Sequence, residues 1–336
     1  MMKAAVFDGK NINIKQVTKP EPSSSEALIR VKAVGICGTD LAIINGDLPS
    51  QIPLILGHEF SGDVVKVGKE VNSKWIGKRI TSEINTNIDF NCFYCKCSIN
   101  TQCISRKALG IDVNGALAEY ITVESYLLHE FPEFISYEEA TFIEPLAAAY
   151  QTFEMMPLDS NDKTIAIFGL GKLGLLICQV AKLKGLKVIV IDGSEKKLSL
   201  AKSFGASNVI NRLKTKNIPK TIQDLTNNLG ADIVLDASGN PAALNDIIAS
   251  CRTRGKLHIK STHGLATPLN ITDIVVRELT LYSSRCGPFD KAIEGIESGA
   301  IKIKDLISET YFLDDIQDAI ENYNKSKDHI KTIIKI

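Results

Sequence analysis

The run Thr164-Ile-Ala-Ile-Phe168, followed at once by Gly169-Leu170-Gly171-Lys172-Leu173-Gly174, constrains this chain more than any other feature. A short apolar run reads as a buried strand, and the GxGxxG pattern opens an apolar stretch, Lys172–Leu183, with helical periodicity. In that context each glycine has a task. Gly169 permits a tight turn, Gly171 lets backbone approach a pyrophosphate, and Gly174 lets helix and strand pack closely. The helix N-terminus adds amide donors and the positive end of its dipole, so Leu170, Lys172 and Leu173 belong to the same ligand-facing loop. The next strand, Lys187-Val-Ile-Val-Ile-Asp192, ends in an acid 18 residues beyond Gly174. A carboxylate there accepts ribose hydroxyls and repels a 2′-phosphate, which favours NAD over NADP. Lys197 is a candidate contact for the adenosine end, although it and Lys196 also fit the solvated face of a helix.

The same rhythm continues around this unit. Thr164–Phe168, Lys187–Ile191, Ile233–Asp236, Lys256–Ile259 and Thr280–Ser283 read as strands, and Lys172–Leu183, Glu195–Phe204 and Ala242–Ser250 as helices. That alternation predicts βαβ crossovers on a parallel sheet. Before about Leu128 helical periodicity is nearly absent. Ala27–Ala33 and Gly62–Gly68 alternate at period two, which predicts a β-rich barrel or sandwich. Glu138–Tyr150 reads as a helical hinge, and the C-terminal stretch, helical over Asp314–Tyr323 and strand-like over Ile330–Ile336, is expected to return to the first domain. With 336 residues, 44% of them hydrophobic, there is material for about two domains with large cores, which excludes a disordered chain. Lys plus Arg and Asp plus Glu each number 39, and a net charge of zero gives no footprint for nucleic acid or an anionic membrane. No apolar run approaches the roughly 18 residues of a membrane span, and no signal-peptide core precedes the first strand, so a cytoplasmic protein is expected.

Four of the eight cysteines, Cys92, Cys95, Cys97 and Cys103, crowd into twelve residues. Without a secretory signal such clustering points to metal more than to disulfides. Two further motifs carry ligand-type side chains: Gly35-Ile-Cys37-Gly-Thr39-Asp40 and Gly57-His58-Glu59-Phe-Ser-Gly62. A catalytic zinc takes about three protein ligands and keeps one position open. Cys37 and His58 are natural first ligands, and the third is Glu59 or Glu144, the latter in Ile143-Glu144-Pro145-Leu146. Taken singly, Cys37 also reads as a small hydrophobe and His58 as a structural histidine. Cys178 and Cys251 read as core, and His129, His258, His263 and His329 have no ligand-spaced partners. Ser283–Phe289 should approach the nicotinamide, where Arg285 or Cys286 shapes the substrate pocket.

Cys37-Gly-Thr-Asp, Gly57-His-Glu-x-x-Gly, the cysteine lobe, Glu144-Pro-Leu and the GxGxxG unit follow one another as in the zinc-dependent medium-chain dehydrogenase/reductases. Over essentially its whole length the chain resembles their polyol and threonine dehydrogenase branch. The resemblance implies an α/β protein with a GroES-like, β-rich catalytic domain from residues 1–147 and 287–336. A Rossmann domain with a doubly wound parallel sheet would occupy 148–286. It implies a catalytic zinc on Cys37, His58 and either Glu59 or Glu144, with Thr39 first to receive the substrate proton and Glu59 as a second catalytic group. It also implies a homodimer or homotetramer joined through the sheet edge at Thr280–Arg285.

Two departures stand out. The family's structural-zinc lobe reads C-x2-C-x2-C-x7-C, whereas the cysteines here run Cys92-x2-Cys95-x1-Cys97-x5-Cys103, three residues shorter. Either a strained zinc site or a loop without metal is expected. Ala42 stands where many relatives have a histidine that passes the proton to solvent, so the path must run through Thr39, the ribose and water, or through Glu59.

The implied activity is zinc-dependent hydride transfer between a secondary alcohol (a polyol, sugar or hydroxy amino acid) and NAD(H). Zinc as a Lewis acid makes the alcohol acidic enough to release hydride. A glutamate in the ligand set exchanges readily with water and leaves room for a vicinal diol. The alternatives are an NADP-preferring sugar dehydrogenase, a threonine dehydrogenase and, from another class, a catalytically silent nucleotide-binding protein.

Overall fold

The computed structural model describes residues 1–262, 267, 269–323 and 325–336, which leaves His263 outside the described residues. Strand β1 (Glu26–Gly35) is the organising element of the first sheet. It pairs antiparallel with β2 (Glu59–Val67), with Tyr120–Glu124 and with the C-terminal strand Thr332–Lys335. The pairing of Ile334 with Val34 shows that the C-terminus does return to the first sheet. Every second residue of β1 enters an apolar core with Phe60, Val64, Ile80 and Leu117, the expected outcome of period-two patterning. One element departs from the expected absence of helix. Residues Gly38–Ile44 form a short helix, α1, whose start depends on a cap described below.

The hinge resolves into a turn of helix, Tyr137–Ala140, and a longer helix α2 (Ile143–Met155). Helix α2 runs across position 147, so the junction between the two sheets is a rigid helix.

The second sheet contains β3 (Thr164–Phe168), β4 (Lys187–Asp192), β5 (Asn208–Asn211), β6 (Ala231–Asp236), β7 (Cys251–Ile259) and β8 (Thr280–Ser283). All are parallel, in the spatial order β5-β4-β3-β6-β7-β8. The order reverses at β3, and there α3 (Lys172–Leu183) begins. This doubly wound topology leaves its ligand crevice beyond the carboxyl ends of the strands at the reversal. Alternate residues feed two cores. Ile165, Ile167, Val188 and Val190 pack toward α2 and α3, and Ala166, Phe168, Ile189 and Ile191 pack on the other face. Strand β5 gave no clear sequence signal because it is a four-residue edge strand with Val209 facing solvent. No helix among the described residues is long and apolar enough to cross a membrane.

His258, on β7, is fully buried with its Nε2 3.0 Å from the Ser284 hydroxyl. Burial pushes its pKa from 6.5 down to about 3, so the folded protein keeps it neutral. Below pH 6.5 the unfolded chain binds a proton that the folded chain refuses, and stability falls toward acid by up to about 1.4 kcal/mol per pH unit. Urea unfolding at pH 7.0 and 5.5 should therefore show a larger acid loss in the wild type than in His258→Asn, by about 1 kcal/mol.

Candidate active site

Cys37 ends the loop after β1 and caps α1. Its backbone N–H donates to Asp40 Oδ2 at 2.8 Å, which satisfies a helix-end amide and fixes where the thiol points. The other Asp40 oxygen accepts the Gly57 N–H at 3.2 Å and lies 3.5 Å from His58 Nδ1. One buried carboxylate thus orients both the thiol and the imidazole. His58 and Glu59 meet Cys37 because β1 and β2 pair with Gly35 opposite Glu59. One donor atom from each of Cys37, His58 and Glu59 lies within 4.8 Å of the others. Tetrahedral zinc needs donor separations of about 3.3–3.8 Å, so this sulfur, nitrogen and oxygen set fits the ion with small adjustments.

The charges around the trio are dense. Burial opposes ionisation of Cys37, but the Lys172 ammonium and the His58 imidazole beside it bring its pKa well below the ordinary thiol range. Burial likewise opposes charge on His58, yet Cys37 and Asp40 raise its pKa well above the usual value. The Glu59 carboxylate is 1% exposed and contacts the ammonium groups of Lys172 and Lys331. Lys331 was not foreseen; it lies over Gly35, where an added Cβ would fall 2.1 Å from its Nζ.

Glu144, at the start of α2, stands outside the trio but lines the same cavity of about 470 Å³. Burial raises its pKa. Thr39 also lines this space, with its hydroxyl 3.7 Å from the Cys37 sulfur. Lys172 and Leu173 form part of the wall, so the glycine-rich loop and the candidate metal donors share one cleft. The Lys172 ammonium reaches across to the buried Glu59 carboxylate.

A second cavity, about 480 Å³, opens at the carboxyl ends of β3 and β4 and is lined by Gly169, Asp192, Ser194, Lys197 and Arg212. Asp192 accepts the N–H groups of Leu170 at 2.7 Å and Ser194 at 2.8 Å, which fixes its carboxylate at the rim. Lys196 is exposed and lines neither cavity. The glycines differ in what enforces them. Gly169 has φ of +91°, and a Cβ on Gly174 would fall 1.9 Å from the Gly169 carbonyl oxygen. Gly171 has nothing within 4 Å of an added Cβ. The space beside it is left for a ligand.

In the cysteine lobe the structure groups a different set of side chains from the four cysteines. Asp89, Cys92, Cys95 and Cys103 bring one donor atom each within 4.8 Å of the others, and Cys97 lies outside this group, exposed. The register Asp89-x2-Cys92-x2-Cys95-x7-Cys103 has the full family spacing, with aspartate in the first place. Counted from Asp89 the lobe has the family length, a spacing that a count of cysteines alone does not show. Asp89 Oδ1 accepts the N–H groups of Asn91 and Cys92, both at 2.8 Å, which hold the carboxyl well below the usual range.

Two substitutions separate packing from ligand space. Gly174→Val should destabilise the fold by about 1–3 kcal/mol through overpacking. Gly171→Val should melt like the wild type yet lose the fluorescence enhancement of bound NADH.

Residues 23–133 match the alcohol dehydrogenase GroES-like domain, and residues 173–298 match the family described as zinc-binding dehydrogenase. The D-arabitol-phosphate dehydrogenase of Enterococcus avium is 33% identical over 94% of this chain and 91% of its own. The sorbitol dehydrogenase of Bacillus subtilis strain 168 is 34% identical, with 95% and 93% covered. A solved zinc-binding dehydrogenase of Sinorhizobium meliloti 1021, bound to NADP, superposes with a TM-score of 0.92 at 30% identity, over 100% of this chain and 99% of that one. Since both halves match and the likeness runs nearly end to end, the chain belongs to the zinc-dependent medium-chain dehydrogenases, in the branch of polyol and threonine dehydrogenases.

Proposed function

We propose that this enzyme oxidises a secondary hydroxyl of a polyol with NAD, using a zinc ion held by Cys37, His58 and Glu59. One observation carries the reading: the three donors open into the cavity that Lys172 and Leu173 of the dinucleotide loop also line. Likeness to a sorbitol and an arabitol-phosphate dehydrogenase supports the polyol class. The bound ion supplies a Lewis acid that lowers the pKa of the substrate hydroxyl. The bound dinucleotide supplies the hydride acceptor.

The chain's own residues do the rest. Thr39, whose hydroxyl faces the cavity beside the Cys37 sulfur, receives the departing proton. Ala42 offers no donor or acceptor, so the proton leaves through solvent in the cleft. Asp40 positions Cys37 and His58. Glu144, whose pKa burial raises, pairs with a neighbouring substrate hydroxyl. Asp192 at the rim of the adenosine cavity supports NAD over NADP, because a fixed carboxylate repels a 2′-phosphate.

Three further assignments go with this reading. Asp89, Cys92, Cys95 and Cys103 hold a second, structural zinc, supported by the convergence of their donors. The domains divide at 147/148 and 286/287, supported by the two separate sheets. A second copy pairs along β8, supported by its place at the sheet edge and by the exposed Leu281, Val275 and Val276.

With NAD, the enzyme should reduce cofactor in the presence of a polyol panel and not with threonine, read as absorbance of NADH; turnover of threonine alone would overturn the polyol reading. Cys37→Ala should lose turnover at least 10³-fold while NADH binding persists, roughly the penalty for losing zinc's charge stabilisation. Metal analysis should give two zinc ions per chain for the wild type and Cys97→Ser, and one for Cys103→Ser. A kcat/KM ratio favouring NADP would defeat the Asp192 argument.

A further inference from the structure

We propose that the far end of the substrate cavity is a phosphate subsite built from Arg106 and Arg285, and that the substrate is accordingly a polyol phosphate monoester. This rests on the polyol reading above and names its substrate class. Both guanidinium groups line the same cavity as Cys37, His58 and Thr39. They converge on one atom: Arg106 Nη1 donates to Asn85 Oδ1 at 3.3 Å, and Arg285 Nη1 donates to the same oxygen at 3.2 Å. Asn85 is 3% exposed, and its Nδ2 donates to the Cys286 sulfur at 3.1 Å, which fixes which way the amide faces.

Among the described residues the hydrogen-bond partners of these two cations are all neutral. Arg106 has Asn85 alone, and Arg285 adds the Thr101 carbonyl and the Cys286 sulfur, the latter a thiol kept protonated by burial. The acids that share the cavity are engaged elsewhere: Glu59 with Lys172 and Lys331, and Asp112 with the Ala108 N–H at 2.8 Å. Glu144 shares its surroundings with the ammonium groups of Lys172 and Lys260. Two like charges held side by side on a single amide oxygen repel each other. The shared acceptor uses both lone pairs of Asn85 Oδ1, yet each guanidinium carries five N–H donors and keeps several free. A phosphate dianion offers the matching charge and enough oxygens to take a donor fork from each side. A carboxylate, with one charge, matches only one of the two.

The test compares sorbitol, sorbitol 6-phosphate and gluconate as substrates for the zinc-loaded enzyme with NAD. We expect kcat/KM for sorbitol 6-phosphate to exceed that for sorbitol at least tenfold, with inorganic phosphate inhibiting competitively. Arg106→Gln should lower kcat/KM for the phosphate ester at least tenfold more than for sorbitol, and Arg106→Lys should restore part of that ratio. Equal efficiency with sorbitol and its phosphate, an equal loss on both in Arg106→Gln, or a preference for gluconate would overturn the subsite. Calorimetric titration of the NADH complex with sorbitol 6-phosphate separates the two readings. Binding that Arg106→Gln abolishes, without turnover of any polyol, supports the subsite and defeats the polyol reading; absence of both binding and turnover defeats both.

Discussion

A single buried carboxylate, Glu59, ties this molecule together. It belongs to the first sheet, yet the ammonium groups it contacts come from the start of α3, Lys172, and from the residue just before the C-terminal strand, Lys331. An ionised carboxylate that is 1% exposed is tolerable only when opposite charge is placed around it, since the cost of removing it from water is several kcal/mol. Three stretches distant in sequence must therefore arrive together. The pairing of Thr332–Lys335 with β1 brings Lys331 over Gly35, and the start of α3 brings Lys172 across the cleft. The same carboxylate sits beside Cys37 and His58, so closure of the two sheets upon each other and assembly of the donor set are one event.

From that centre the cleft has a graded character. One end is built of thiol, imidazole and carboxylate donors oriented by Asp40. The other end carries guanidinium groups set on Asn85. Under the phosphate-ester proposal this difference would set the direction of a chain-like substrate in the cleft. Lys172 and Leu173 of the glycine-rich loop form part of the side wall.

Much of this was legible in the residues. The strand-glycine-helix unit and its acid-ended neighbour produce β3, α3 and β4 with nearly the expected limits, because buried parallel strands are continuous apolar runs and glycine patterns are local. Cys37 and His58 stood out because thiol and imidazole in glycine-flanked motifs are chemically distinctive. The cysteine lobe misled for a physical reason. Zinc accepts oxygen as well as sulfur, and the first place of the lobe is Asp89, so a reading confined to cysteines shifted the register and enlisted the exposed Cys97. The helix α1 was missed because its first turn is held by Asp40, a residue whose partners Gly57 and His58 lie in the loop just before β2.

By itself the sequence determined the layer architecture, the dinucleotide crevice and the chemical kind of the donors, all of which follow from local periodicity and residue type. Only the tertiary structure decided that Glu59, and not Glu144, joins Cys37 and His58, that Lys172 turns toward that carboxylate, and that Arg106 and Arg285 share one amide oxygen. The reason is common to all three. A side chain's partner across a cleft depends on strand register and crossover, and it sits from about twenty to two hundred residues away, where no local pattern reaches.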